Sequence, residues 1–219
     1  MQLLDPKFVR SILLTEDDPY LNSHINDADL NDGSSYIGVA SLYFILPYII
    51  KAKTCVCLGS GGGLVPKLMR QAQREVKVPD SKTIIVDANM PEASWGEPHW
   101  LNKLEHSLRK TYPEIIHLLI KTDDAVDVIH KQFGFIDYLH IDADHSYDGC
   151  LNDFLNYKDL MKSGGIISLH DTSTNRPHKH CVPIGVPMVV EHIRTLKEYE
   201  IIDFPRQSCG TAFLKKKGE

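Results

Sequence analysis

The chain of 219 residues is long enough for one large α/β domain and too short for two ordinary ones. Its net charge of −5 and its pI of about 6.1 argue against a nucleic-acid-binding protein. The longest apolar run, from Ile37 to Ile50, falls short of the roughly 20 residues that span a bilayer, so we expect no membrane association.

The cysteines and the first residues of the chain indicate in which cellular compartment the protein is expected. The five cysteines are odd in number and show neither a disulfide framework nor a zinc-ribbon spacing. The opening Met1-Gln-Leu-Leu-Asp5-Pro6 lacks a basic region followed by an apolar run, so it does not resemble a signal peptide. We therefore expect a reduced, cytoplasmic protein. The oligomeric state stays open, and a homo-oligomer is compatible with the sequence.

Strand-like and helical patterns alternate along the chain after a helical segment at residues 1–50. The predicted strands are Thr54–Gly59, Thr83–Asp87, Ile115–Thr122, Ile136–Asp142, Gly165–Asp171, Glu200–Phe204 and Thr211–Lys215. The predicted helices are Val65–Val76, His99–Thr111, Ala125–Gln132, Leu151–Met161 and Pro187–Lys197. The alternation predicts a single α/β domain over residues 1–219, with a doubly wound, Rossmann-like core at 51–219 and a mostly parallel seven-stranded sheet.

The last two predicted strands differ from the others in their connection. Only the segment Pro205–Gly210 separates them, and it has no room for a helix. A parallel crossover needs about a dozen residues or more. We therefore predict that the last strand is antiparallel and pairs as a hairpin with the strand before it.

A glycine-rich loop follows the first strand and reads Gly59-Ser60-Gly61-Gly62-Gly63. Glycines let the backbone turn sharply and let a ligand approach closely, so Gly59, Ser60, Gly61 and Gly63 are candidate cofactor-binding residues. The third glycine of a dinucleotide fingerprint is missing, because that position is Leu64. The loop therefore favours a nucleoside without a pyrophosphate, and the alternative is a tight turn without a ligand.

Acids follow the second and third predicted strands. Asp87, at the tip of the second, can accept hydrogen bonds from the ribose hydroxyls of an adenosine, or it can cap a helix. Asp123 follows the third strand and could bind the adenine amine. Helix N-capping is an equally good explanation of Asp123.

Acids and imidazoles follow two further strands. Asp142, Asp144 and His145 come after one strand, and His170 and Asp171 end the next. The carboxyl ends of neighbouring parallel strands form the ligand crevice of such a sheet, so these side chains should meet. They offer enough chemistry for a divalent cation and a general base. Loop acids and helix caps are the alternative explanation.

Together these residues resemble the class I S-adenosylmethionine-dependent methyltransferases over most of the chain, at about residues 54–214. The loop at residues 59–63 is similar to the first motif of that family. Asp87 is similar to its ribose-binding acid, and the antiparallel last strand is what that family would have. The resemblance implies S-adenosylmethionine as the cofactor.

The segment from Ile141 to Tyr147, with His170 and Asp171 on the next strand, resembles a more specific branch. That branch contains metal-dependent sugar O-methyltransferases and cephalosporin-hydroxylase-like proteins. The resemblance implies that Asp142 and the pair on the next strand hold magnesium. It also implies that His145 is the base.

The pair on the next strand departs from the pattern of the branch, where it is acidic and here is His170-Asp171. Magnesium prefers oxygen ligands, whereas imidazole suits transition metals. Three interpretations stay open. His170 points away and Asp144 or water completes the site, or the metal is a transition metal, or metal binding has weakened.

Three functions compete at this point. The first is metal-assisted methyl transfer to a hydroxyl of a small molecule, such as a sugar or polyol. The second is a nucleotide-dependent oxidoreductase, which the missing third glycine disfavours. The third is a nucleoside-binding protein without methyl transfer, which the altered His170-Asp171 pair suggests.

Overall fold

The computed structural model describes residues 38–88, 107–173, 184–206 and 209–217. After a short 3-10 helix at Gly38–Ser41, the helices are α1 Leu42–Ile49, α2 Leu64–Val76, α3 Ser107–Thr111, α4 Thr122–Phe133, α5 Tyr147–Lys158 and α6 Val186–Leu196. The strands are β1 Thr54–Leu58, β2 Lys82–Val86, β3 Ile116–Leu118, β4 Ile136–Ile141, β5 Met161–His170, β6 Tyr199–Phe204 and β7 Thr211–Lys216.

The seven strands form one mixed sheet in the order β3-β2-β1-β4-β5-β7-β6. The pairs β2–β3, β1–β2, β1–β4 and β4–β5 are parallel. Strand β7 is antiparallel to both β5 and β6, between which it lies. The predicted Rossmann-like fold and antiparallel last strand are confirmed. The order of strands reverses between β1 and β4, and this switch point is where ligands bind in open α/β sheets.

Apolar side chains cover both faces of the sheet. One buried cluster joins α1, α2 and α3 to the sheet, with Tyr43, Leu68 and Tyr112 among its members. The other joins α4, α5 and α6 to the opposite face and includes Ile129 and Phe154. Burial on both faces explains why β1 consists of five buried residues, as expected for a central parallel strand.

The predicted boundaries around β3 were wrong. The strand covers only Ile116–Leu118, and α4 already begins at Thr122, three residues earlier than predicted. Asp123 and Asp124 therefore lie in the first turn of α4. Acids are favourable there because the helix dipole places partial positive charge at the N-terminus.

The predicted boundaries between β4 and β5 were also wrong. Helix α5 begins at Tyr147 because the Ser146 side chain caps it, accepting a hydrogen bond from Gly149 N at 3.1 Å. Strand β5 begins at Met161, four residues before the predicted Gly165. Gly164 has a φ of 74°, and the register between β5 and β4 shifts nearby. The strand therefore continues through this glycine as an irregular strand, although the sequence pattern suggested a break there.

Part of the predicted helical content lies outside the described residues. This applies to residues 1–37 and to all but the end of the helix predicted at His99–Thr111. Within the part of the chain that the structure describes, no helix has the length and apolar character needed to cross a bilayer.

A buried carboxyl group lies in α5. Asp153 is 2% exposed, and its Oδ2 has no hydrogen-bond partner among the described residues. Burial is the main cause that raises the pKa of Asp153 to about 7. A hydrogen bond with Thr122 opposes the rise, and the charges of Asp123 and Asp144 add to it. The folded protein therefore keeps a proton on Asp153 that the unfolded chain releases at lower pH.

Asp153 should make the protein less stable as the pH rises. An unfolded aspartate titrates near pH 3.9 and the folded one near 7, so the stabilisation is present below the lower value and is lost towards the higher one. Between about pH 5 and about pH 8 the wild type should lose roughly 2–3 kcal/mol more unfolding free energy than Asp153→Asn. Urea unfolding at several pH values measures this. Parallel pH curves for the two proteins would contradict it.

Candidate functional site

The glycine loop after β1 has a backbone that requires glycine. Gly59, Gly61 and Gly63 have φ values of 75°, 46° and 88°, in the left-handed region that favours glycine. A side chain on Gly59 would collide with the backbone of Asp142, whereas one on Gly61 would meet nothing within 4 Å. Helix α2 follows with Gly63 as its N-cap, without a side-chain cap. The loop therefore leaves open space beside the start of a helix, where a polar ligand is favoured.

Asp87 fixes the conformation of this loop. Its Oδ2 accepts hydrogen bonds from Ser60 N at 3.1 Å and from Ser60 Oγ at 2.6 Å. The backbone supports the same arrangement, because Gly59 N donates to Val86 O and Asp87 N donates to Leu118 O. Ser60, predicted to bind cofactor, is thus buried against Asp87. The tip of β2 and the glycine loop form one unit.

Asp123 lies in a different setting from the one predicted. Its Oδ1 accepts hydrogen bonds from Asn152 Nδ2 at 2.6 Å and from Asn156 Nδ2 at 2.9 Å, both on α5. The N-cap of α4 is Lys121, so Asp123 does not cap that helix through the N-cap position. The observed contacts give Asp123 a part in helix packing, and its proposed contact with adenine stays a prediction.

Four of the predicted residues meet in one group, which we name the acid–imidazole cluster: Asp142, His145, His170 and Asp171. His145 bridges the two acids, with Nε2 at 3.2 Å from Asp142 Oδ1 and Nδ1 at 3.1 Å from Asp171 Oδ2. His170 Nδ1 lies 3.1 Å from Asp142 Oδ1 and 3.4 Å from Asp171 Oδ1. The predicted convergence of two strand ends is therefore present.

The sheet places these side chains together. Ile141 of β4 pairs with Leu169 of β5, so Asp142 and His170 are the next residues along neighbouring parallel strands. Asp171 has a φ of 65°, which is uncommon for a residue other than glycine but is tolerated by aspartate. Such backbone strain concentrates at functional sites, and here it accompanies the turn at the end of β5.

Charges and hydrogen bonds within the cluster shift the pKa values of its members. Burial would raise the pKa of Asp142, but the charge of His170 and hydrogen bonds from the surrounding histidines outweigh it and hold that pKa well below its usual range. Burial would lower the pKa of His145, but the hydrogen bond and charge of Asp142, with the charge of Asp171, raise it overall. The His145 side chain is 21% exposed, against 4% for His170 and Asp171, so it is the member most accessible to a substrate.

Asp144 lies apart from this cluster. Its Oδ1 accepts a hydrogen bond from Ser146 N at 2.8 Å, next to the start of α5. Two groups of described residues have donor atoms close enough to hold a metal ion, namely Asp142, His145 and Asp171, and His170, Asp171 and Cys209. Asp144 belongs to neither, so the geometry favours His170 over Asp144 as the further ligand.

Sequence reasoning missed His140 and Cys209. His140 is buried behind the cluster, with Nε2 at 3.9 Å from Asp142 Oδ2 and Nδ1 at 2.8 Å from Ser168 Oγ. Burial lowers its pKa, which favours a neutral ring that orients the acid. The alternation of side chains along a strand places His140 and Asp142 on one face and could have identified it. Cys209 is distant in sequence from the cluster residues, and no strand pattern in the sequence connects it to them.

Comparison with known proteins agrees with this architecture. The family model Methyltransf_24, described as a methyltransferase domain, matches residues 56–172, which is more than half of the chain. A sequence search of curated proteins finds no significant match. The family match begins within β1 and includes the glycine loop and the ends of both β4 and β5.

Solved structures with the same fold include three methyltransferases. TomG, an O-methyltransferase of tomaymycin synthesis from Streptomyces achromogenes solved with SAM, is 14% identical, with a TM-score of 0.62 over 97% of this chain and 95% of that one. An O-methyltransferase from Bacillus cereus in complex with SAH is 13% identical, with a TM-score of 0.61 and 96% of each chain covered. SAH-bound PaMTH1 from Podospora anserina is 14% identical, with a TM-score of 0.59 over 85% of this chain and 81% of that one.

At these identities the three structures establish the fold, and the family model establishes the family. The family model agrees with the methyltransferase resemblance of the glycine loop, Asp87 and the acids after β4. The chain therefore belongs to the methyltransferase domain family, and the predicted methyltransferase with a class I fold is confirmed.

Proposed function

We propose that this protein transfers the methyl group of S-adenosylmethionine to a hydroxyl of a small molecule, assisted by a divalent cation. The family match supports methyl transfer. The fold neighbours that are O-methyltransferases, some solved with SAM or SAH, support an oxygen acceptor and this cofactor. We assign cofactor binding to Gly59, Ser60, Gly61, Gly63 and Asp87, and the open space beside the glycine loop supports this assignment.

The observation that carries the proposal is the direct contact between the glycine loop and the acid–imidazole cluster. Gly59 packs against the backbone of Asp142 so closely that a Cβ there would overlap its carbonyl oxygen. Asp142 N donates to Leu58 O at 2.9 Å, which joins the ends of β1 and β4. A cofactor on the loop would therefore lie beside a cluster that can bind and deprotonate an acceptor, as in-line methyl transfer requires.

The donor set of the cluster fits a divalent cation. Carboxylates from Asp142 and Asp171 supply oxygen, and one ligand atom of each of these and of His145 lies within 4.8 Å of the others. The imidazole of His170 contacts both acids and shifts the preference towards a transition metal over magnesium. A divalent cation held there would lower the pKa of the acceptor hydroxyl and fix its position.

His145 is the residue that we assign as the base. During transfer, the acceptor oxygen forms a bond to the methyl carbon while the carbon–sulfur bond of the cofactor breaks. The hydroxyl proton passes to Nε2 of His145, where the acceptor hydroxyl takes the place of the Asp142 contact. Asp171 stabilises the resulting imidazolium through its contact with Nδ1 at 3.1 Å, and the nearby charge of Asp142 adds to this stabilisation. Solvent can then remove the proton, since His145 is partly exposed.

The acceptor that we propose is a small hydroxylated molecule such as a sugar or polyol. The net charge of −5 disfavours nucleic acid. We also propose a cytoplasmic location and leave a homo-oligomer as a proposal to be tested by solution mass. The oxidoreductase hypothesis is disfavoured because Leu64 occupies the position of the third glycine in a dinucleotide fingerprint.

Calorimetry and a turnover screen test this function. We expect S-adenosylhomocysteine to bind and NAD to fail to bind. A panel of sugars, polyols and other small hydroxylated molecules, assayed with S-adenosylmethionine and added divalent metals, should reveal an acceptor whose turnover EDTA suppresses. Binding of S-adenosylhomocysteine without turnover of any acceptor would favour the nucleoside-binding alternative. Turnover that is insensitive to EDTA would retain methyl transfer and remove the metal from the proposal.

Replacing Asp87 with alanine should weaken cofactor binding. The change removes a charge-assisted acceptor for the ribose hydroxyls and releases Ser60 from its anchor. We expect a cost on the order of 2–3 kcal/mol in the affinity for S-adenosylhomocysteine, measured by calorimetry.

The Ser60→Ala variant is the matched control for Asp87→Ala. It removes the hydroxyl donor at 2.6 Å but keeps the Asp87 carboxylate and the backbone donor of residue 60. A clearly smaller loss in Ser60→Ala would assign the larger effect to the ribose. Equal losses in the two variants would show that Asp87 only anchors the loop, and unchanged affinity in a folded Asp87→Ala protein would refute the assignment.

A further inference from the structure

Cys209 lies against the acid–imidazole cluster from the side of β7. Its sulfur, a nitrogen of His170 and an oxygen of Asp171 all lie within 4.8 Å of one another. Zinc-like ions hold their ligand atoms about 2.0–2.3 Å away, so donors around one ion lie roughly 3–4.5 Å apart. The three side chains therefore form a group on the scale of a metal site. Among the described residues, Cys209 has no disulfide partner.

The backbone fixes Cys209 in this position. Ser173 N donates to Cys209 O at 3.0 Å, and Thr172 N donates to Gly210 O at 3.3 Å. Gly210 has a φ of 83° and approaches the backbone of Ser173 so closely that a Cβ there would overlap it. The chain before β7 is thus held against the exit of β5. This arrangement presents the thiol to His170 and Asp171 without a long flexible loop.

The two donor groups give His145 incompatible roles. An ion in the group formed with Asp142 and Asp171 would take a lone pair of His145, which could then no longer accept the proton of the acceptor. An ion in the group of His170, Asp171 and Cys209 would leave His145 between the two carboxylates. Asp171 can bind the ion and contact the base at the same time, because its Oδ1 faces His170 and its Oδ2 faces His145.

We propose that Cys209 is a ligand of the divalent cation, which lies among His170, Asp171 and Cys209 and leaves His145 as the base. The inference rests on the proposed function for the presence of the ion. Thiolate and imidazole ligands select a borderline-soft ion such as zinc or cobalt over magnesium. The departure from an acidic pair at His170 then has a chemical reason, because an imidazole nitrogen suits the same borderline-soft ion as the sulfur of Cys209.

Cobalt(II) binding to the resting full-length protein tests this site without any turnover. A thiolate ligand gives cobalt an intense near-ultraviolet charge-transfer absorption, whereas oxygen and nitrogen ligands do not. We expect this absorption in the wild type and its loss in Cys209→Ser. The affinity for cobalt should fall roughly 10- to 100-fold or more in that variant, because loss of even an outer-shell partner costs this much.

Cys181 supplies the matched control, because it stands beside His178 and His180 in sequence and is the obvious competing source of a cobalt–thiolate absorption. It lies outside the described residues. Cys181→Ser should keep the absorption. X-ray absorption of the zinc-loaded wild type, which needs no variant, should show a sulfur neighbour at about 2.3 Å.

The outcomes separate this inference from the proposed function. Absorption that survives in Cys209→Ser and disappears in Cys181→Ser would overturn it, as would cobalt binding without any thiolate absorption. In the latter case the metal itself would remain. An absence of cobalt binding would remove both the site and the metal assistance, while S-adenosylhomocysteine binding, measured separately, would still decide whether the protein uses that cofactor.

Discussion

The His145→Ala variant is expected to lower kcat roughly 10²- to 10⁴-fold, with little change in the affinity for S-adenosylhomocysteine. His145 contacts both Asp142 and Asp171 and is the most exposed member of the acid–imidazole cluster. Alanine removes the proposed proton acceptor but leaves the glycine loop and Asp87 intact. Steady-state kinetics and calorimetry on the same preparation measure both quantities.

The pH profile distinguishes a base from a structural histidine. The pKa of His145 is raised, so the neutral ring that can accept a proton forms at higher pH than an ordinary imidazole would require. Wild-type kcat should therefore rise with pH along an acid limb, and that limb should disappear in His145→Ala. His192→Ala is the control, because His192 contacts Tyr147 outside the cluster. Near-normal turnover with an unchanged profile in His145→Ala would show that His145 is structural.

The double variant Asp142→Asn, Asp171→Asn is expected to abolish metal-dependent turnover while cofactor binding persists. The two acids contact both His145 and His170, so their neutralisation removes the negative charge that a cation needs and the partners that hold the two rings. Cofactor affinity should persist because Asp142 touches the glycine loop through its backbone.

Asp148→Asn is the matched control for this experiment. Asp148 is an exposed acid in the first turn of α5, and the same chemical change there should leave turnover near the wild-type value. Turnover before and after EDTA treatment, with metal added back, completes the measurement. A double variant that keeps its metal response would place the cation elsewhere, and a double variant that fails to bind S-adenosylhomocysteine would show that the acids also hold the cofactor site together.

The parallel core was predictable because its strands are short apolar runs that end in glycine or acid. The pattern placed β1 and β4 to within one residue of their observed ends and identified the antiparallel β7 from the short connection before it. Boundaries failed where a local backbone feature outweighed composition. Ser146 starts a helix inside a segment interpreted as a loop, and Gly164 continues a strand where a break was expected.

The candidate site was predictable as far as parallel strand ends determine proximity. The four residues of the acid–imidazole cluster lie together because β4 and β5 are adjacent and in register. Cys209 could not be found in this way. It joins the cluster through the antiparallel pairing of β7 with β5, and the sequence does not reveal that β7 inserts between β5 and β6.

The position of β7 has a consequence for how the protein is made. Strand β6 leaves the ribosome before β7, yet its place in the sheet is on the far side of β7. Until residues 211–216 emerge, β5 has an unpaired edge and β6 has no neighbour in the sheet. Such edges are prone to wrong pairing during synthesis. Because the same pairing brings Cys209 to His170 and Asp171, the proposed Cys209 site should be completed in one late step, after most of the fold is already in place.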